Sequence, residues 1–137
     1  MINGRRKTTP EVLSVVSKVL SGEVLREIVN QLISLGVNAV GISSGDGGTI
    51  RAIYSEDALG EVGVVDKVDP TFLNNLLKNG YLPVISPIGV NEKGAALNLN
   101  ADSVAGSFPR PAPQWLQNRD SGGQDISQTG HSCRASL

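Results

Sequence analysis

The stretch Asn98-Leu99-Asn100-Ala101-Asp102 sets two amides and a carboxylate close together in the chain. On an extended strand side chains alternate, so Asn98 and Asn100 share one face while Leu97 and Leu99 share the other. If a helix starts directly afterwards, Asp102 stands in its first turn. The three polar groups would then converge at the carboxyl end of a strand, where α/β sheets place their ligands. An amide offers donors and an acceptor at once, and a carboxylate accepts or orders cations. Spacing alone leaves a second reading open. Asn100 is a good helix N-cap, and Asp102 suits the positive end of a helix with no ligand present.

Other candidate groups lie elsewhere. Gly4-Arg5-Arg6-Lys7-Thr8 offers guanidinium forks that can hold a carboxylate in two parallel hydrogen bonds, or simply a solvated basic face. Gly45-Asp46-Gly47-Gly48 lacks the lysine and spacing of a phosphate-binding loop and reads as a turn. His131 and Cys133 have the outline of a nucleophile and base, or of two metal ligands. They are the only His and Cys of the chain, in a segment with no periodic pattern to fix them. Site chemistry depends on fixed geometry, so they read as tail residues and no metal site is expected.

The elements that must position these groups alternate in type. Thr9-Pro10-Glu11 is a helix start, with a hydroxyl cap, a first-turn proline and an acid. Apolar residues recur at helical spacing from Val12 to Leu20, are interrupted at Gly22, and resume from Val24 to Ile33 before Gly36. Residues 37–42 form an apolar run suited to a buried strand. The turn at 45–48 and the strand-prone residues 49–54 then predict a hairpin. Residues 61–68 read as extended. Asp69-Pro70 opens a helix that Gly80 closes, and residues 81–85 and 95–100 are further strands. A last helix begins at Ala101 and is cut short by Pro109. Helices alternating with apolar strands argue for α/β layers around a largely parallel sheet.

At 137 residues the chain is one domain by length. Its 39% hydrophobic and 18% charged content reads as globular. A formal charge of −1 argues against a nucleic-acid partner. Neither a membrane-length apolar run nor a secretory signal is visible, so a cytoplasmic address and no membrane partner are expected. Composition breaks near residue 108. The first part holds Gln31 as its only glutamine, whereas the tail holds Gln114, Gln117, Gln124 and Gln128, with Pro109, Pro111 and Pro113 crowded at its start. Residues 1–108 therefore read as the folded domain, and residues 109–137 as a disordered polar tail unrelated to it.

Five stretches carry a resemblance. They are Asn3-Gly4-Arg5-Arg6-Lys7-Thr8, Ala39-Val40-Gly41-Ile42 with the glycine turn after it, and Leu59-Gly60-Glu61-Val62-Gly63. Asn79-Gly80-Tyr81-Leu82-Pro83-Val84-Ile85-Ser86-Pro87-Ile88-Gly89-Val90 follows, then residues 97–105. In this order and spacing, residues 4 to about 108 resemble the N-acetyl-L-glutamate kinases of the amino-acid kinase family. The resemblance implies an incomplete three-layer α/β/α sandwich of the carbamate-kinase-like type, with a mainly parallel sheet. It implies transfer of a phosphoryl group from ATP, with Mg2+, onto the side-chain carboxylate of N-acetyl-L-glutamate in arginine biosynthesis. By the same resemblance Arg6 holds the substrate α-carboxylate, Asn98 and Asn100 bind the acetylglutamate, and Asp102 organises two catalytic lysines. A homo-oligomer is implied for the family enzyme.

The departures are also specific. The family's Lys-x-Gly-Gly strand and glycine-triplet loop do not precede Met1, its Thr-Asp-Val strand does not follow Phe108, and Ser44 stands where glycine is common. The chain is thus expected to be an internal fragment, inactive alone, to which no cofactor binds well. A shifted reading frame after about codon 108 would produce such a tail. Two rival readings are a non-catalytic fragment that docks onto intact kinase, and a kinase acting on carrier-protein-linked aminoadipate or glutamate. The latter group usually departs from the Asn-x-Asn-Ala-Asp wording kept here.

Overall fold

The computed structural model describes residues 7–57 and 59–109. Arg6 and residues 110–137, with His131 and Cys133, lie outside the described residues.

Helix α1 (Pro10–Lys18) starts as its sequence dictates. The Thr9 hydroxyl accepts the Val12 N–H at 3.3 Å, and Pro10 occupies the first turn. The side-chain hydrogen bond with Thr9 holds the Glu11 carboxyl below its usual pKa. The expected interruption at Gly22 does not occur. A π-helical turn, Val19–Val24, carries the helix into α2 (Leu25–Ser34), and its flanking residues Lys18 and Leu25 keep right-handed helical dihedrals. Such turns insert a residue without breaking the helix. The true stop is Gly36, at φ 80°. Its N–H bonds Ile33 O at 2.9 Å, and the Val37 N–H bonds Leu32 O at 3.0 Å, which is the Schellman arrangement.

Strand β1 (Ala39–Ser43) pairs in parallel with β4 (Leu82–Ser86), in register from Ala39 opposite Leu82 to Ser43 opposite Ser86. Helix α2 packs on both strands. A Cβ at Gly41 would lie 3.0 to 3.2 Å from Leu25 and Val29, so a bare backbone lets the helix approach β1 this closely.

The second sheet has the order β3-β2-β5-β6. Its members are β2 (Ile50–Tyr54), β3 (Gly63–Val68), β5 (Ile88–Val90) and β6 (Ala96–Asn98). The pair β2–β5 is parallel, whereas β2–β3 and β5–β6 are antiparallel. The hairpin expected between β1 and β2 is therefore not formed, because the turn at 45–48 hands the chain from one sheet to the other. Asp46 accepts the Ser43 N–H at 2.8 Å, while the Ser44 N–H and hydroxyl both bond Ser86 O, at 3.0 and 2.6 Å. Those bonds extend the β1–β4 ladder past the point where a hairpin would have to turn. The reverse crossing falls at Pro87, which has no N–H to prolong β4.

Helix α3 (Thr71–Lys78) lies between β3 and β4 in the chain and packs on β4. Asp69 accepts the Thr71 N–H at 2.9 Å, and hydrogen bonding with Thr71 lowers its pKa. Helix α4 (Ala101–Ser107) packs on β3. Ile50, Ala52, Leu97, Leu99 and Val104 form the core beneath it, with Val65, Val68 and Phe108 against them. Burying that cluster fixes the end of β6 relative to the start of α4.

Candidate functional site

Leu97 and Leu99 are both buried, and this determines where their neighbours point. With alternate residues committed to the core, Asn98 and Asn100 are turned the other way. Both line a cavity of about 380 Å³ at the carboxyl end of β6. Its other polar lining residues are Ser55 and Ser103, and Leu59, Leu99 and residues 62–65 supply the apolar wall.

Each asparagine is held differently. Asn98 donates its backbone N–H to Glu61 O at 2.9 Å and its side-chain Nδ2 to the Thr8 hydroxyl at 3.3 Å. Asn100 caps α4: its Oδ1 accepts from Ser103 N at 2.9 Å and from the Ser103 hydroxyl at 3.3 Å. Cap and cavity residue are thus the same residue, with Oδ1 serving the helix. Asp102 stands exposed in the first turn of α4, beside the cavity and not in its lining.

Thr8 joins the site from the far end of the sequence. It is 3% exposed and forms an isolated parallel bridge with Gly60. Its N–H bonds Leu59 O at 2.9 Å, and its carbonyl accepts the Glu61 N–H at 2.7 Å. Tyr54 donates its hydroxyl to Glu61 Oε2 at 3.2 Å, and that hydrogen bond, then the carboxylate's charge, raises the tyrosine pKa.

The structure brings Asn98 and Asn100 to one cavity and leaves Asp102 exposed outside its lining, while Arg6 lies outside the described residues. Sequence reasoning missed the roles of Thr8, Ser55 and Ser103, although Thr8 and Ser103 stand inside stretches that carry the family resemblance. Gly60, at φ 74°, is the backbone that Thr8 approaches closely. A second polar group was missed too. The hydroxyls of Ser21, Ser43 and Ser86 lie 2.7 to 3.4 Å apart at the carboxyl ends of β1 and β4. Among the described residues no group of three or more His, Cys, Asp or Glu side chains is gathered to hold a metal.

An α/β body with a polar cavity at a strand's carboxyl end is the design of a small-ligand enzyme domain. The chain belongs to the amino acid kinase family, whose model matches residues 2–108. Its curated relatives include the acetylglutamate kinase of Geobacillus kaustophilus (strain HTA426), 48% identical over 107 residues, covering 77% of this chain and 42% of that protein. The acetylglutamate kinase of Halothermothrix orenii is 46% identical over 112 residues, covering 78% and 39%. Among solved structures, smu.665 from Streptococcus mutans UA159 superposes with a TM-score of 0.72 at 29% identity, covering 78% of this chain and 44% of that one. The N-acetylglutamate synthase of Neisseria gonorrhoeae shares the fold at a TM-score of 0.59 and 22% identity, covering 76% and 24%. The chain spans about two-fifths of the length of the curated relatives it matches. The family resemblance and the α/β class expected from the sequence are borne out.

Proposed function

We propose that this chain carries the N-acetyl-L-glutamate-binding part of an acetylglutamate kinase, an enzyme of arginine biosynthesis acting in the cytoplasm. The observation that carries the reading is the joint presentation of Asn98 and Asn100 to one cavity, in a chain 46% and 48% identical to acetylglutamate kinases. Neutral amides and hydroxyls suit a small ligand that has its own carbonyls, N–H and carboxylates. Asn98 and Asn100 are assigned to the acetylglutamate, and Arg6 to its α-carboxylate by a bidentate bond. Asp102 is assigned as the carboxylate that orders cationic side chains during phosphoryl transfer. Kinase chemistry on a carboxylate is mostly positioning and charge neutralisation, and this cavity supplies positioning.

ATP is the proposed phosphoryl donor, and Mg2+ its usual companion. The cavity lining contains no Lys or Arg, and the described residues gather no carboxylate cluster. They do not fit a metal–polyphosphate. Residues 1–108 are assigned to the kinase domain and 109–137 to a separate tail, supported by the break in composition. Assembly as a homo-oligomer belongs to the same proposal.

Calorimetric titration of the chain with N-acetyl-L-glutamate tests the reading. Saturable binding that is at least ten-fold weaker for L-glutamate and lost in Asn98→Ala is expected. Equal binding of L-glutamate, or an unaffected Asn98→Ala, would overturn it.

A further inference from the structure

The contact between Thr8 and Asn98 joins residues 90 positions apart, and nothing in the proposed chemistry yet uses it. Thr8 does not line the cavity. It lies behind Asn98, buried, with its hydroxyl accepting from the amide nitrogen. We propose that Thr8 is a positioning residue that fixes the Asn98 amide for substrate.

The side-chain part of the argument concerns one torsion. The χ2 of asparagine is broad and roughly two-fold, so an untied amide can present either its oxygen or its nitrogen. With Nδ2 engaged by Thr8, Oδ1 is the end left to accept an N–H from a ligand. An acetamido group supplies such an N–H. The tie therefore bears on how the substrate's nitrogen is held, and this consequence rests on the reading of the site given above.

The backbone part concerns a closed set of bonds. Thr8 is gripped between Leu59 O and Glu61 N, and Glu61 O in turn receives the Asn98 N–H. The bridge partner Gly60 sits at φ 74°, and a Cβ there would lie 2.2 Å from Thr8 O. Only glycine permits this approach, so the 59–61 turn is shaped around Thr8. One residue thus ties the 59–61 turn to the Asn98 side chain.

The test uses the whole chain, with Thr8→Val removing the hydroxyl at nearly constant volume and Thr8→Ser keeping it. In the ligand-free wild type, NMR should show the Asn98 side-chain amide protons exchanging with solvent more slowly than those of exposed Asn74. That protection should persist in Thr8→Ser and vanish in Thr8→Val. N-acetyl-L-glutamate affinity should fall about ten-fold in Thr8→Val, the scale set by leaving a part-buried amide donor unpaired, and return in Thr8→Ser. A wild-type Asn98 amide that exchanges as fast as Asn74 overturns the proposal, as does unchanged affinity in Thr8→Val. Protection of Asn98 in a wild-type chain that binds no N-acetyl-L-glutamate sinks the reading of the site and leaves the Thr8 contact standing.

Discussion

Asn100 shows how two roles can share one side chain. Its Oδ1 caps α4, and the same residue lines the cavity. Substitution can separate them. Asn100→Asp keeps a cap acceptor, so denaturant unfolding should change by less than about 0.5 kcal/mol, while Asn100→Ala should cost about 1 kcal/mol. Both changes remove the amide N–H groups, and aspartate adds a charge that repels a dicarboxylate, so both should weaken N-acetyl-L-glutamate binding in titration. Full binding by Asn100→Asp would make the residue a cap and nothing more. At this scale the sequence was informative where the pattern was local. Strand alternation put Asn98 and Asn100 on one face, and their spacing placed Asp102 in a first helical turn. The contacts of Thr8 were illegible for a physical reason: its bonds to Asn98, Leu59 and Glu61 link residues about 50 to 90 positions apart, and no local period records such a contact.

Elements were legible at their ends and less so in their partners. The Thr9 cap and the glycine stops at 36 and 80 act within a few residues and each was readable, whereas Asp69 stands one residue before the α3 cap position and bonds Thr71 N in the turn ahead of it. Gly22 misled because glycine is usually a stop, whereas here the helix runs through it as a π-helical turn. That difference can be measured. A Cβ at Gly22 would meet nothing within 4 Å, and its φ is not positive. Gly22→Ala should therefore stabilise the chain by roughly 0.5–1 kcal/mol, the usual gain from restricting a helical glycine. A loss of stability on denaturant unfolding would mean that the chain needs a break at 22 after all. The absent β1–β2 hairpin failed differently. The glycine turn is real, but which strand β1 joins is decided by Ser44 bonding Ser86, and a turn signal carries no such information. The short β5 was missed because Pro87 separates it from β4 by a single residue.

Across the whole molecule, the order of motifs identified the family, while the sheet arrangement emerged only from the coordinates. Much apolar surface remains open, including Val15 at 60% and Leu35 at 78% exposure, and β1 and β4 form a two-stranded parallel sheet among the described residues. Parallel strands are normally covered on both faces, so the folded state is expected to be only marginally stable. Marginal stability makes ligand binding easy to see, because saturation at about a hundred times Kd adds roughly 2.7 kcal/mol. The chain also offers two polar places at strand ends, the asparagine cavity and the Ser21, Ser43 and Ser86 hydroxyls. Both follow the general rule for α/β sheets, so the rule alone cannot choose between them. The direct measurement is a backbone amide NMR spectrum of the isotope-labelled chain, recorded with and without saturating N-acetyl-L-glutamate. The account predicts that the largest shifts fall on Ser55, Gly63, Asn98, Asn100 and Ser103, with Ser43 and Ser86 nearly still. Shifts centred on Ser21, Ser43 and Ser86, or no shifts at all, would contradict it.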